Sequence, residues 1–339
     1  GRVIGQHVAT AAGRDLTVGV GGNLDVNGVA QAGRDLNFVI GGQVDLKGVQ
    51  AGRHASIKSG KYINITDGVT AGGNIVLVAE SGDIRVGTGV VSTGLPYETQ
   101  ELTGDILLSA SGNITTPLIS AAKGSVSASG HNLRVSDIAA SGDTDLLARG
   151  LIRINGTSQS GGNQNWHADD SIFFERLLAG GQALLDSMLT TQGTVLRADQ
   201  GARVNAGWRN GVASNADILL GQATAPTLSL WAGNLIRVAD ANIGQATDLH
   251  GQDIELYGRH TGSGQLNLWV EGSGQALAKR FDTRLQAADI VSPRLHVVDS
   301  RIETTGSKVD LQDAVGVDQL ALYSAQAVII ADNTTPTYR

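Results

Sequence analysis

Apolar and polar positions alternate along this chain in short bursts, and a glycine precedes most of them. GRDLTV at 13, GRDLNF at 33, GRHASI at 52 and GGNIVL at 72 make one series. GGNLDV at 21, GGQVDL at 41, GKYINI at 60 and SGDIRV at 81 make a second. The beat goes on as TGDILL at 103, SGNITT at 111, KGSVSA at 123, GHNLRV at 130, SGDTDL at 141 and GLIRI at 150. An apolar-polar-apolar triplet has period two, so each burst predicts a short strand with one face buried. The glycine supplies the positive φ or the close backbone approach of a tight corner, and the Asn, Asp and Ser beside it are turn formers.

Two beats make a unit of twenty residues. Laying 11–30 over 31–50 gives ten identical positions, with Ala12-Gly13-Arg14-Asp15-Leu16 returning as Ala32-Gly33-Arg34-Asp35-Leu36. A hairpin meander seldom keeps such a period, whereas a coil that makes one circuit per repeat does. The pattern therefore predicts an all-β parallel β-helix of roughly 17 turns, about 20 residues per turn, over the 339 residues. Leu16 is expected to stack on Leu36 and Val26 on Leu46 inside the coil. Thr17, Asp25, Asn37 and Asp45 then face water, and Asp15, Asp25, Asp35 and Asp45 read as a solvated acidic face.

Residues 1–204 read as regular glycine-marked repeats, with an insertion loop near 94–103. That stretch holds Pro96, Tyr97, Glu98 and Glu101. Extra residues in a solenoid are expelled as a surface loop, so Tyr97 and Glu98 are candidates for recognition. SIFFERLLAGGQALLDSML, 171–189, is the least strand-like segment, but its GGQALL fits the beat and predicts another β circuit. Residues 205–339 read as a continuation of the coil with weaker repeats. LRVSD at 133 returns there as IRVAD at 236 and LHVVD at 295.

The beat G-[RGND]-x-Φ-x-Φ (Φ, apolar) at a period near twenty, most specific from Gly13 to about Gly201, resembles the haemagglutinin repeats of filamentous-haemagglutinin-like exoproteins. These belong to the two-partner secretion family. The resemblance implies a right-handed coil, export through an outer-membrane secretion partner, and a long fibre secreted to or held on the bacterial cell surface. Such fibres mediate attachment or biofilm and cell–cell contact. The family's secretion domain is marked by NPNL-type and NPNG-type motifs. Neither occurs in this sequence, so the chain is expected to be an interior stretch of shaft.

Composition narrows the function classes. The chain has 46 glycines, 5 prolines, no cysteine, 41% apolar residues and a net charge of −7. The charge and the lack of a Lys/Arg cluster argue against a nucleic-acid partner. No apolar run approaches the length of a membrane-spanning helix. Without cysteine there are neither disulfides nor thiolate metal sites. The histidines are scattered, and no metal or other cofactor is expected. The one adjacent acidic pair, Asp169-Asp170 beside His167, is a weak basis for acid–base chemistry. No catalytic residues are assigned, and a non-enzymatic adhesin shaft is the leading expectation. Its rivals are a β-helix glycan-processing enzyme or phage tailspike, and the shaft of a contact-dependent toxin.

Four aromatics end an alternating phrase: LSLW at Trp231, IELY at Tyr257, LNLW at Trp269 and LALY at Tyr323. The ring after two inward aliphatic positions is expected to point outward or cap a corner. Trp231 and Trp269 lie about two turns apart and are expected to share a column. Trp231, Tyr257 and Trp269 are the candidate binding residues, since an exposed ring stacks on sugar or anchors a protein. The expected partner is an extracellular polysaccharide or a cell-surface receptor.

Overall fold

A computed structural model describes residues 3–5, 10–96, 98, 101–209, 212–262, 265–270, 276–278, 284–292, 295–312, 315–323 and 328–331, with side-chain surroundings followed as far as Trp269. The fold is an all-β parallel solenoid, with no helix among the described residues. The chain divides into two units. One is Gly1–Asp169 with Phe173–Glu175, the other Asp170–Ile172 with Arg176–Arg339. Within each, strands pair in parallel with the strand one circuit later.

In the first unit the expected inward ladders are present. Leu16 pairs with Leu36, Leu36 with Ala55, and Ala55 with Ile75. Val26 pairs with Leu46, which pairs with Ile65. Leu36, Phe38 and Ile40 are buried while Asn37 and Val39 between them are exposed, as the period-two pattern requires. One circuit contains three strands rather than the two that the beats suggest, for example Ala55–Ser59, Ile63–Ile65 and Gly68–Ala71. The third buries only Val69 and Ala71, so it is too short and its side chains too small to write a visible alternation.

The turn formers have a second task. In the first unit each one at the first-beat corner accepts the backbone N–H of its counterpart a circuit later. Asp35 takes the N–H of His54 at 3.3 Å, and His54 Nδ1 that of Asn74 at 3.0 Å. Asn74 takes Asp105 at 3.0 Å, Asp105 takes Ser125 at 2.9 Å, and Asp143 takes Asn163 at 2.6 Å. These bonds satisfy corner N–H donors that lie outside the strand ladders.

The repeated Arg-Asp pair is explained by the same stacking, and this corrects the expected solvated acidic face. Arg34 Nε donates to Asp15 at 2.7 Å and Arg53 Nε to Asp35 at 2.8 Å, each Arg reaching back one circuit. The Arg34 guanidinium holds the Asp15 carboxyl down to about 2, and Arg53 lowers Asp35 in the same way. Asp45 is also engaged, by Tyr62 Oη–H and Asn64 Nδ2–H, both at 3.1 Å.

Among the described residues the circuits run to about 19 residues, close to the expected twenty. Two circuits are longer. Ile75 pairs with Ile106, and Ala202 with Leu228. The first stretch is the insertion expected near 94–103. It begins with Gly94 at φ 60° and includes Glu98 at φ 54°. Asn74 recloses the corner beneath it by accepting from both Asp105 N–H and Thr103 Oγ1–H. Tyr97 lies outside the described residues. The second stretch contains an antiparallel pair, Trp208–Arg209 with Val212–Ala213. The segment 171–189 is strand, as expected, at Ile172–Ala179 and Gln182–Ser187.

Candidate functional site

In the second unit the parallel register puts Trp231 beside His250 and His250 beside Trp269. Trp231 and Trp269 each sit at the outward position after two inward leucines, Leu228 and Leu230 in the first case, and His250 follows Thr247 and the buried Leu249. The Trp231 and Trp269 phrases are therefore in one column, as expected. The rings do not stand apart, however. Trp231 and His250 stack at 3.9 Å between centroids with planes 5° apart, and His250 and Trp269 at 5.9 Å and 19°. Trp208, carried in by the antiparallel pair, meets Trp231 edge-on at 5.7 Å and 66°. Four aromatic rings thus form a continuous outer ladder.

This geometry changes what the rings offer. The expectation was of exposed rings in one column, free to stack on sugar or to anchor a protein. Trp231 is instead engaged by His250 stacked on one face and by Trp208 edge-on. Trp269 is the most open of the four, at 46% exposure, and the other three are half-buried. A polar column runs alongside: Ser229, Asp248 and Asn267 are in register two positions before the rings. Trp231 Nε1–H donates to Ser229 Oγ at 2.9 Å, and Asn267 Nδ2–H donates to Asp248 Oδ1. These links fix the ring orientation and leave amide and carboxylate groups beside the apolar edge.

Tyr257 does not join the ladder. Its phrase IELY looks like LSLW, but Asp253–Leu256 stacks on Leu235–Val238, the start of the strand Leu235–Gly251, whose far end carries His250. Its hydroxyl donates to Glu255 Oε2 at 2.9 Å, and Arg237 closes the group by binding the same oxygen at 2.7 Å. Sequence reasoning missed Trp208 and His250. Both left a trace: Asn210-Gly211 is a strong hairpin signal, and His250 is 19 residues from each tryptophan.

The same region buries a titratable group. His260 Nε2 lies 2.8 Å from the Tyr257 carbonyl, which accepts only, so the ring donates there. Burial pushes the imidazole below its ordinary value, against smaller opposing contributions from Tyr257 and Asp240. The folded state therefore holds it neutral. Above about pH 6.5 neither state is charged, so His260 contributes no pH dependence; below it only the unfolded chain takes a proton. The second unit is expected to melt at a constant temperature between pH 9 and 7 and to lose stability as pH falls below about 6.5. His260→Gln should flatten that slope. An unchanged slope in the variant, read by calorimetry, would assign the effect to other groups.

The other candidates come apart. His167 Nε2 lies 3.3 Å from Asp169 Oδ1, while Asp170 accepts from Ser171 Oγ–H, so the adjacent carboxylates face different partners. Trp166 is an inward core residue, edge-on to Phe174 at 5.9 Å. Among the described residues no three His, Cys, Asp or Glu side chains gather as a metal site, and no helix is long and apolar enough to cross a membrane. No family model, curated protein or solved structure matches the chain.

Proposed function

We propose that this chain is a stretch of non-enzymatic adhesive shaft from a secreted or surface-held bacterial fibre, and that its outer aromatic ladder grips a polysaccharide or a cell-surface receptor. The observation that carries the reading is the ladder itself. Trp208, Trp231, His250 and Trp269 spend large apolar rings on an outward column rather than on the core. Rigid aromatics bordered by hydrogen-bonding groups are what partner surfaces use for affinity at small entropic cost. The glycine-marked repeat supports the fibre half of the reading. Export through an outer-membrane partner belongs to the same proposal.

Attachment assays separate gripping from packing. Trp269→Ala removes the most exposed ring and is expected to weaken attachment of the purified chain to polysaccharide-coated or cell surfaces about tenfold, with a stability loss of only about 1 kcal/mol. Trp231→Ala/Trp269→Ala should abolish attachment and cost about 1–3 kcal/mol, because the stack on His250 is lost as well. Full attachment by both variants would remove the ladder from the contact.

A further inference from the structure

The first unit carries a different column on a different strand. The middle residue of each second-beat strand points outward, and the register stacks Asp25, Asp45, Asn64, Arg85, Thr115, Arg134 and Arg153 in that order. The sign of the column reverses halfway. Its acidic end is occupied locally, since Asp45 accepts from Gln43, Tyr62 and Asn64. The basic end is far less so. Arg85 pairs with Asp83 at 2.7 Å yet stays 67% exposed. Arg153 lies over the Phe173 ring at 4.7 Å, which holds its guanidinium in place without neutralising it. Arg134 stands between Thr115 and Arg153, exposed, and no carboxylate among the described residues pairs with it or with Arg153.

Two like charges directly opposite on neighbouring strands repel. Asp137 accepts the Thr157 N–H at 2.8 Å, and Asp83 serves Arg85 and the Asn113 N–H, so neither forms an ion pair with Arg134 or Arg153. Beside the column runs a groove of about 640 Å³. Arg85, Thr115 and Arg134 form one wall, and Thr66, Ser136 and Asn155 provide neutral hydrogen-bonding groups across the bend. Arg85 and Arg134 are two strand spacings apart, about 10 Å. That is the scale of a disaccharide.

We propose that this groove binds a linear anionic polysaccharide lying along the stacked turns, with acid groups on alternate sugars meeting Arg85 and Arg134 and with Arg153 extending the track. Guanidinium forks suit carboxylate and sulfate groups alike, and the neutral wall suits sugar hydroxyls. The net charge of −7 repels polyanions in general, so binding depends on this column and weakens as salt rises. The site uses other side chains, in the other unit, and does not rest on the aromatic ladder.

Affinity electrophoresis of the whole chain through gels holding polygalacturonate, a sulfated glycan or a neutral glucan tests it. Retardation by an anionic polymer but not by the glucan is expected, released by salt; the carboxylated and sulfated gels show which acid group is preferred. Arg134→Gln/Arg153→Gln is expected to weaken retardation about tenfold or more. Thr115→Arg, which fills the gap in the column, should strengthen it, a gain that misfolding does not mimic. No retardation of the unmodified chain at low salt, equal retardation by the glucan, or indifference to both arginine variants would overturn the proposal.

Discussion

Leu36→Asp is expected to unfold the turns around it at a cost of about 4 kcal/mol or more, while Asn37→Asp, one residue on, leaves stability within about 0.5 kcal/mol. Leu36 is 1% exposed and sits between Leu16 and Ala55 in the inward ladder. A carboxylate there has no partner and no water. It also interrupts two neighbour interfaces at once, on which a solenoid turn depends because it buries little by itself. Asn37 points outward between Thr17 and Ser56, so its added charge stays solvated. Urea unfolding of both variants is the measurement. Equal tolerance at 36 and 37 would mean that the faces are wrongly assigned.

The second large effect concerns glycine, with a control inside the repeat. A Cβ on Gly33 would stand 2.2 Å from the Gly13 carbonyl oxygen, whereas one on Gly48 meets nothing closer than 3.5 Å, ordinary contact. The obstacle is backbone on a stacked turn, which has no rotamer to change. Neither glycine has a positive φ, so close approach is the whole reason for the residue. Gly33→Ala should therefore destabilise the first unit by about 2–3 kcal/mol. Gly48→Ala should be neutral or up to about 1 kcal/mol stabilising, because it restricts only the unfolded chain. A similar loss at both positions would point to a conformational demand instead.

Much of the fold was legible because a repeat writes its own register. Once AGRDL appears at 12 and 32, Leu16 must lie against Leu36, and alternation decides which side chains turn inward. The shared column of Trp231 and Trp269 was legible for the same reason. What escaped lay where the one-dimensional pattern is silent. The bond from Arg34 to Asp15 crosses between circuits at a corner, and only the stacked backbone shows that the Arg of one turn overlies the Asp of the last. The third strand escaped because Val69 and Ala71 are too few to alternate. The strand that Tyr257 occupies escaped because the phrase IELY carries no mark of its place in the circuit. The faces of the rings were misjudged because a column of outward residues at strand spacing brings aromatics close enough to stack on each other.

The aromatic and polar columns exist only if successive turns of the second unit keep the stated register, and engineered cysteines read that register directly in a chain with none of its own. Ser229 and Asp248 are direct partners on adjacent parallel strands, about 4.8 Å apart, within disulfide range. Ser229 and His250 are offset by two residues, about 8 Å, beyond it. Ser229→Cys/Asp248→Cys is expected to form an intramolecular disulfide under mild oxidation, seen by mass spectrometry of the digested chain, while Ser229→Cys/His250→Cys stays reduced. A disulfide in the second pair and none in the first would contradict the stacking, and with it the ladder that the proposed adhesive face is built on.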